Sequence, residues 1–200
     1  EGAVVDKSPI ITVEIRLSSA TDTVIVSVEV TTSIELLNRA IADELSAVHQ
    51  YMFLHFHCDD QGYDLLSTLF KRTAIAEMLH IERLADRVLF LKGTIEMKAS
   101  EEVKQITDVK AMLEFARQSE EDAIVMYNNF AIECGNHADS VSKKLFEELV
   151  LEEEGHFAEF DDEMENMLKF GEQYLVLQSM ERSKKKATMA AAAAPTGEMA

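Results

Sequence analysis

The chain has 200 residues, of which 37 are acidic and 19 are basic, so its formal net charge at pH 7 is −18. This length suffices for one domain with a sizeable core, and the negative charge argues against nucleic acid or an anionic membrane surface as the main partner. No apolar run approaches the roughly 20 residues of a membrane span, no signal-peptide pattern opens the sequence, and the two cysteines form no CxxC motif. We therefore expect a cytoplasmic protein without disulfides.

Residues 1–31 differ in pattern from the rest of the chain. Apolar and polar residues alternate over 12–17, and valine recurs at every second position from Val24 to Val30. Such alternation predicts a β-hairpin or an extended arm. A two-stranded hairpin is only marginally stable by itself, so this N-terminal arm is expected to pack on another surface or to be mobile. The favoured interpretation is a structural arm without a function of its own.

Apolar residues recur with helical spacing over most of the remaining chain and predict four long helices and a short fifth one. Gly62, Gly93, Gly135 and Gly171 mark the ends of the four long helices. The predicted helices cover residues 33–60, 64–92, 108–134, 138–170 and 172–182. Residues 183–200, with a lysine triplet and an alanine run, are expected to form a flexible tail.

The lengths of the connections predict how these helices are arranged. Short turns join the first helix to the second and the third to the fourth, so each pair is antiparallel. Residues 93–107 are long enough to return along the bundle, which lets the second and third helices run parallel. The sequence therefore predicts an all-α domain over residues 32–182, an antiparallel four-helix bundle with one long crossover and a short C-terminal fifth helix, preceded by the β-like arm.

A Glu-x-x-His motif occurs twice in the chain, beginning at Glu77 and at Glu153. This spacing places the carboxylate and the imidazole of each motif on one face of a helix. Each motif also has a second glutamate upstream at the same separation, Glu44 before Glu77 and Glu120 before Glu153. Two carboxylates and one imidazole, supplied twice, make the six ligands of a paired-metal site in a four-helix bundle. The six residues are Glu44, Glu77, His80, Glu120, Glu153 and His156.

The shift along the sequence that takes Glu77 to Glu153, here called the repeat shift, relates other parts of the chain as well. Further pairs that it matches are Tyr51 and Tyr127, Cys58 and Cys134, and Phe70 and Phe146. We interpret the bundle as two helical hairpins related by an approximate internal two-fold axis. The repeat shift also selects Glu120 over its neighbour Glu121 as a ligand. The two cysteines are expected near opposite ends of antiparallel helices, on the order of 40 Å apart, which excludes an intrachain disulfide.

The four glutamates of the six-residue set lie on the apolar stripes of their helices. Buried carboxylates are costly unless charge compensates them, and no lysine or arginine occupies the neighbouring core positions. Two divalent cations would neutralise the four carboxylates; the alternative is a buried hydrogen-bonded network or side chains that reach solvent. Oxygen-rich sites with one imidazole per metal suit iron or manganese. We expect Glu77 and Glu153 to bridge two ions, and Glu44 and Glu120 to cap one ion each.

Short motifs around these glutamates, and the spacings from each glutamate to the next, are similar to those of one known family. The motifs are Leu37-Asn38, Glu44-Leu45, Gln50-Tyr51, Glu77-Met78 with His80, the run from Arg87 to Gly93, Ala138-Asp139-Ser140-Val141, and Glu153-Glu154-Gly155-His156. On these motifs the chain resembles, over roughly residues 34–182, the bacterioferritins of the ferritin-like superfamily.

The resemblance implies an enzyme that stores iron. It implies a ferroxidase that oxidises Fe(II) to Fe(III) with dioxygen or hydrogen peroxide at a di-iron site within each subunit, and that stores the ferric mineral. The six matched residues would bind two iron ions per subunit. The assembly is expected to be a hollow homo-oligomer of twenty-four subunits, built from two-fold dimers. A ferredoxin-like protein is the expected electron donor for iron release.

The resemblance implies functional roles for two further residues. Met78 follows Glu77 and should point away from the metal site; in bacterioferritins the methionine at this position binds the iron of a b-type haem shared between two subunits. The alternative is a packing methionine, since the chain has ten methionines. Tyr51 matches a tyrosine that interacts with the di-iron site, where it either donates electrons or protons or hydrogen-bonds a ligand carboxylate.

Three other functions are compatible with a metal-binding bundle. Tyrosine at both positions of the repeat also resembles the rubrerythrin-like di-iron peroxidases, which do not store iron, but the chain lacks a four-cysteine module. Dodecameric mini-ferritins usually build their sites between subunits, whereas the six ligands here fit one bundle. In the third alternative, metal stabilises the bundle without catalysis. The size of the assembled particle and the rate of Fe(II) oxidation distinguish these functions.

Overall fold

The computed structural model describes residues 10–16, 23–29 and 31–193 of the chain. In chain order, these residues form two strands and five helices. This order agrees with the prediction of a β-like arm followed by an all-α bundle. Residues 194–200 of the predicted tail lie outside the described residues.

The first two elements are the strands β1 (Ile10–Arg16) and β2 (Thr23–Glu29). They pair antiparallel, with Ile10 opposite Glu29 and Arg16 opposite Thr23. Of the two arrangements that the alternating sequence allows, a hairpin or an extended arm, the described residues form the hairpin.

Five helices follow the hairpin. They are α1 (Thr31–Gln61), α2 (Asp64–Phe90), α3 (Val109–Asn136), α4 (Ser140–Phe170) and α5 (Glu172–Ala193). The ends of α1 to α4 lie close to the predicted ends. α1 packs along α2, and α3 packs along α4, so the bundle consists of two helical hairpins. None of the five described helices combines the length and the apolar character that crossing a membrane requires.

The fifth helix is longer than the sequence predicts. Its predicted end is residue 182, but α5 continues to Ala193 and includes the first part of the predicted tail. The predicted end is too early because a lysine triplet and an alanine run suit a solvated tail, although both residue types also favour helix. Arg182 on α5 donates a hydrogen bond to the Asp59 carbonyl and lies 3.4 Å from an Asp64 carboxylate oxygen, which joins α5 to the α1–α2 turn.

The segment between α2 and α3 lies along α1. The side-chain amide of Asn38 donates to the carbonyl of Thr94 (2.9 Å) and accepts from the backbone N–H of Glu96 (3.0 Å). Further along α1, the amide of Gln50 makes the same pair of bonds with the backbone of Lys104, at 3.1 and 2.7 Å. Both amides are buried, so they fix the crossover along α1. α2 and α3 consequently run parallel, as the connection lengths predict.

Two apolar clusters fill the bundle, one toward each end. The two cysteines belong to different clusters: the Cys134 sulfur is 3.7 Å from the Ser33 hydroxyl oxygen, and the Cys58 sulfur is 3.6 Å from the Met112 sulfur. The start of α1 therefore meets the end of α3, and these helices are antiparallel. Both thiols are free and buried, and they lie toward opposite ends of the bundle, as the helix directions predict.

Candidate metal centre

A layer of buried carboxylates separates the two apolar clusters. Each of α1 to α4 contributes one glutamate to this layer, and α2 and α4 each add a histidine. The side chains are Glu44, Glu77, His80, Glu120, Glu153 and His156. The four glutamates are at most 4% exposed. The structure thus brings together all six residues that the repeated motif selects, because the apolar stripe of each helix passes through them and faces the core.

The six side chains form two overlapping sets of four that could each surround one ion. Within each set, the candidate ligand atoms all lie within 4.8 Å of one another. The first set is Glu44, Glu77, His80 and Glu153, and the second is Glu77, Glu120, Glu153 and His156. Only Glu77 and Glu153 belong to both sets, so their carboxylates lie where they could bridge two neighbouring ions.

The Nδ1 atom of His80 lies among three carboxylates of the first set. It is 2.9 Å from a Glu77 oxygen, and 3.1 Å from oxygens of both Glu44 and Glu153. Burial lowers the pKa of His80, but hydrogen bonds to these carboxylates outweigh that effect and raise the pKa far above its usual range. A cationic group is therefore strongly favoured at this position among the carboxylates.

His156 occupies the equivalent position in the second set. Its Nδ1 atom is 3.0 Å from a Glu153 oxygen, 3.1 Å from a Glu77 oxygen and 3.8 Å from a Glu120 oxygen. Burial lowers the pKa of His156, but hydrogen bonds to Glu153 and Glu77 outweigh it and raise the pKa to about 10. The His80 and His156 rings are stacked with their centres 5.9 Å apart, so the two sets are immediate neighbours.

Burial and mutual repulsion raise the pKa of two of the four carboxyl groups. The pKa of Glu44 lies well above its usual range because the group is buried and because the charge of Glu77 repels it. Burial and Glu77 raise the pKa of Glu120 in the same way. Burial also acts to raise the pKa of Glu153, but hydrogen bonds from the two histidines outweigh it and lower this pKa to about 2. The layer therefore needs additional positive charge to ionise fully.

The donor set fits a pair of divalent cations. Among the described residues, the ion-pair partners of the four glutamates are the two histidines, with no lysine or arginine. Both carboxylate oxygens of Glu77 are buried, and their partners in the described part of the chain are the Nδ1 atoms of His80 and His156, at 2.9 and 3.1 Å, with no other hydrogen-bond donor. A buried carboxylate in this state is unfavourable unless a cation binds it. Four carboxylates with one imidazole for each of two ions are the ligand type that suits iron or manganese.

Two buried tyrosines connect the helical hairpins across this layer. The Tyr51 hydroxyl donates a hydrogen bond to Glu120, and the Tyr127 hydroxyl donates one of 2.5 Å to Glu44. Burial raises the pKa of both phenols, so they remain protonated donors. Tyr51 thus makes the carboxylate hydrogen bond that is one of the two roles the sequence allows. Tyr127 lies as far after Glu120 as Tyr51 does after Glu44, so the repeat shift predicts both tyrosines beside the metal site, although the family motifs assign a role to Tyr51 alone.

Two side chains beside the motifs point away from the layer. Met78 is 52% exposed on α2, in agreement with the expectation that it points away from the metal site. Glu121, the neighbour that could be confused with Glu120, is also exposed. The axial-ligand role of Met78 stays a prediction.

A cavity of about 490 Å³ extends from the surface to the carboxylate layer, between α1, α3 and the crossover. Glu44, Glu120 and Tyr127 line its inner part, whereas Asp43 and Asp122 line its outer part. The cavity therefore gives small ions and molecules a route to the glutamates, with acidic side chains along it that favour cations.

The chain is similar to known proteins over the whole bundle. Residues 34–170 match the family model of the ferritin-like domain. The bacterioferritin of Desulfovibrio desulfuricans is 35% identical over 144 residues, which are 71% of this chain and 79% of that protein. The bacterioferritin of Brucella melitensis is 35% identical over 141 residues, which are 70% of this chain and 87% of that protein.

Two solved structures share the fold. The X-ray structure of the Desulfovibrio desulfuricans bacterioferritin, which describes its di-iron site in different catalytic states, matches with a TM-score of 0.72 and 33% identity over 73% of this chain and 85% of that one. The structure of the Rhodobacter capsulatus bacterioferritin, with a metal-free dinuclear site and a haem iron in a crystallographic special position, matches with a TM-score of 0.70 and 27% identity over 83% of this chain and 96% of that one.

Proposed function

We infer that this chain, which belongs to the bacterioferritins of the ferritin-like family, is an iron-storage ferroxidase. It oxidises Fe(II) to Fe(III) at a di-iron site within the subunit. The observation that carries this conclusion is the pair of four-residue sets that share Glu77 and Glu153. Bound there, two Fe(II) ions would supply one electron each to dioxygen or hydrogen peroxide.

We propose a separate role for each group of site residues. Glu77 and Glu153 would each bind both ions, Glu44 and Glu120 would each bind one ion, and each histidine would complete one of the two sets. The hydroxyls of Tyr51 and Tyr127 orient the capping carboxylates through the hydrogen bonds described above. The apolar clusters on both sides of the layer limit water access, so the cavity between α1 and α3 is the route for Fe(II) and the oxidant.

Stopped-flow absorbance after mixing the metal-free protein with Fe(II) and oxygen tests this function. Glu44→Ala and Glu120→Ala each remove one cap, so the fast phase of Fe(II) oxidation should disappear in both variants. Glu121→Ala is the matched control, because it removes a neighbouring carboxylate that is exposed. If the two cap variants oxidise Fe(II) as fast as the wild type and the control, this site assignment fails.

We propose that twenty-four chains, arranged as two-fold dimers, form the storage cage. Large apolar side chains on α1 and α2 support burial in an assembly, since a single chain leaves them exposed. These are Phe56, Leu65, Leu79, Leu89 and Phe90. Sedimentation should give a particle of twenty-four times the 22.5-kDa chain. A dimer without a mineral core would instead favour a rubrerythrin-like peroxidase, and a dodecamer would favour a mini-ferritin.

We also propose that Met78 binds haem across the two-fold axis of the dimer. Its exposed position on α2 supports this role, because a partner subunit could reach it. Protein purified under gentle conditions should show the Soret absorption band of haem. The Met78→Leu variant should lose that band, whereas the control variant Met97→Leu, which changes another exposed methionine, should retain it. The absence of the band from the wild type would contradict the proposal.

Two further properties complete the proposal. The protein acts in the cytoplasm, where Fe(II) and the reductants for iron release are available, and a ferredoxin-like protein donates the electrons that release stored iron. The bacterial relatives and the two free, buried thiols support the first property. Fractionation of cells and release of iron in the presence of reduced ferredoxin test the two properties separately.

A further inference from the structure

We propose that Glu152 positions His80 for metal binding and that Ala76, its counterpart in the internal repeat, leaves His156 without such a residue. The two metal positions then differ in affinity, and the position at His80 binds metal more tightly. The inference rests on the proposed di-iron site and specifies which of its two positions retains metal.

Both ring nitrogens of His80 lie within hydrogen-bond distance of a carboxylate. Its Nδ1 atom faces the carboxylate layer, whereas its Nε2 atom lies 2.9 Å from a carboxylate oxygen of Glu152. Arg83 fixes this carboxylate in turn, because its guanidinium donates to Glu152 at 2.5 Å and to Glu148 at 3.0 Å. The side chain of His80 is only 1% exposed, so its ring has little freedom.

This arrangement determines what His80 offers to a metal ion. A carboxylate acceptor at Nε2 keeps the proton on that nitrogen, which leaves the lone pair of Nδ1 for the metal. The negative charge of Glu152 also raises the basicity of the ring, and the hydrogen bond fixes its orientation. Removal of such a partner typically lowers metal affinity by about 10- to 100-fold. Glu152 therefore acts through His80 and does not itself belong to either four-residue set.

The other copy of the repeat keeps the surrounding ion pair. Under the repeat shift, Arg83 and Glu148 fall on Glu159 and Arg72. These two residues form the equivalent ion pair between α2 and α4 at 2.5 Å, with the charges exchanged. The packing of the two helices is therefore repeated around both histidines.

Only the carboxylate is missing from the second copy. The repeat shift places Glu152 on Ala76, whose methyl group cannot accept a hydrogen bond. Among the described residues, no side chain or backbone group hydrogen-bonds the Nε2 atom of His156, which is bound through Nδ1 alone. Its side chain is 14% exposed, compared with 1% for His80. Neither the ring orientation nor the proton position of His156 is fixed from the outer side.

Titration of the metal-free protein with Co(II) under argon tests the inference, because the visible absorption of Co(II) reports binding without iron oxidation. The wild type should bind two Co(II) ions per chain in two steps that differ by about 10- to 100-fold in affinity. Anomalous scattering from crystals with one equivalent of Co(II) should place the ion beside His80. Equal affinities, or a first ion beside His156, would overturn the inference.

Two variants assign the difference to the named residues. Glu152→Ala should weaken the first step by about 10- to 100-fold, and Glu152→Gln, which keeps an acceptor, should restore part of the loss. Glu148→Ala is the control, because it also removes a partner of Arg83 but does not contact His80. Unchanged affinity in Glu152→Ala overturns the role of Glu152. Ala76→Glu should strengthen the second step, and an unchanged second step overturns the role of Ala76.

These outcomes separate the inference from the proposed function. A wild type that binds fewer than two Co(II) ions per chain would contradict the di-iron site and the inference together. Two bound ions whose affinities do not respond to Glu152→Ala would contradict the inference alone. Both Glu152 and Ala76 lie at partly or fully exposed positions, so their variants are expected to fold.

Discussion

The two helical hairpins of the bundle, α1–α2 and α3–α4, agree at their buried centre and differ at their surfaces. The repeat shift superimposes Glu44 on Glu120 and Tyr51 on Tyr127, and all four side chains are buried. The same shift places the exposed Met78 on Glu154, which is also exposed but charged. The difference teaches that a pair of metal ions requires the same ligands from both hairpins, whereas the exposed positions beside those ligands are under no such requirement.

The hairpins also complete each other. The tyrosine of each hairpin donates its hydrogen bond to the capping glutamate of the other hairpin, as Tyr51 does to Glu120 and Tyr127 does to Glu44. Each of these glutamates therefore has its tyrosine donor in the opposite hairpin. The internal repeat describes one site made by two halves, and variants at matched positions test how equal those halves are.

The largest effect is expected from the shared glutamates. Glu77→Ala removes a ligand from both four-residue sets, whereas Glu44→Ala removes one from a single set. Co(II) titration should therefore show no ion bound with the wild-type affinity in Glu77→Ala and one in Glu44→Ala. The loss in Glu77→Ala should be at least about a hundredfold, since even outer partners of metal ligands contribute about 10- to 100-fold. Glu153→Ala should behave like Glu77→Ala, and a retained ion in only one of them would break the equivalence of the hairpins.

The next largest effect is expected in the two apolar clusters. Phe70 and Phe146 are matched by the repeat, and both are fully buried, one in each cluster. Each aromatic ring stacks on the tyrosine of its hairpin, at 6.2 and 5.8 Å between ring centres. Phe70→Ala and Phe146→Ala should each lower the free energy of unfolding by about 3 to 5 kcal/mol, measured by guanidinium denaturation of the metal-free protein. Losses that differ by more than about 2 kcal/mol would exceed the usual spread between similar sites and show that the two clusters are not equivalent.

The sequence predicted the repeated parts of this molecule better than the unrepeated ones. The ends of α1 to α4 follow from glycine-containing turns, and the buried glutamates follow from carboxylates on apolar stripes, which are rarely tolerated unless a cation binds them. The sequence pattern did not predict where α5 ends, because a run of lysine and alanine is compatible with both a helix and a flexible tail. The sequence motifs also fail to identify Glu152 as a site residue. Its side chain is half exposed, and its contact with His80 depends on how α4 packs against α2, which residue spacing does not determine.

The buried tyrosines distinguish a structural role from a redox role. Tyr51→Phe leaves one oxygen of Glu120 without its donor, so it should lower the free energy of unfolding by about 1.5 to 3 kcal/mol. Tyr127→Phe should cost less, because the same oxygen of Glu44 keeps its contact with His80 at 3.1 Å. If the tyrosines only orient these carboxylates, both variants should slow Fe(II) oxidation to the same extent. If Tyr51 also donates electrons, only Tyr51→Phe should change the ratio of Fe(II) oxidised to dioxygen consumed. Stopped-flow absorbance with an oxygen electrode measures both quantities.

A smaller, pH-dependent effect is expected at the start of α4. Burial raises the pKa of Asp139, but hydrogen bonds from Ser142 and the charge of Arg87, 2.6 Å away, outweigh it and lower the pKa below its usual value. The ionised carboxylate thus stabilises the folded state above the unfolded pKa of about 3.9, and this stabilisation is lost as the pH falls through the folded pKa. Asp139→Asn should lower the free energy of unfolding by about 1 to 2 kcal/mol at pH 7. The difference from the wild type should shrink below pH 4, and a constant difference would contradict this cause.

The smallest effect is expected where the repeat lacks this cap. The repeat shift places Asp139 on Tyr63, the residue before α2, whose side chain makes no capping hydrogen bond. Tyr63→Asp would supply an acceptor for the free N–H groups of the first turn and should raise the free energy of unfolding by about 0.5 to 1 kcal/mol. The gain should be small because Tyr63 also packs against the apolar cluster at that end of the bundle. Tyr63→Ala removes the same packing without supplying an acceptor, so the difference between the two variants isolates the cap. Equal denaturation midpoints for both variants would show that an aspartate N-cap, like Asp139 on α4, does not stabilise α2.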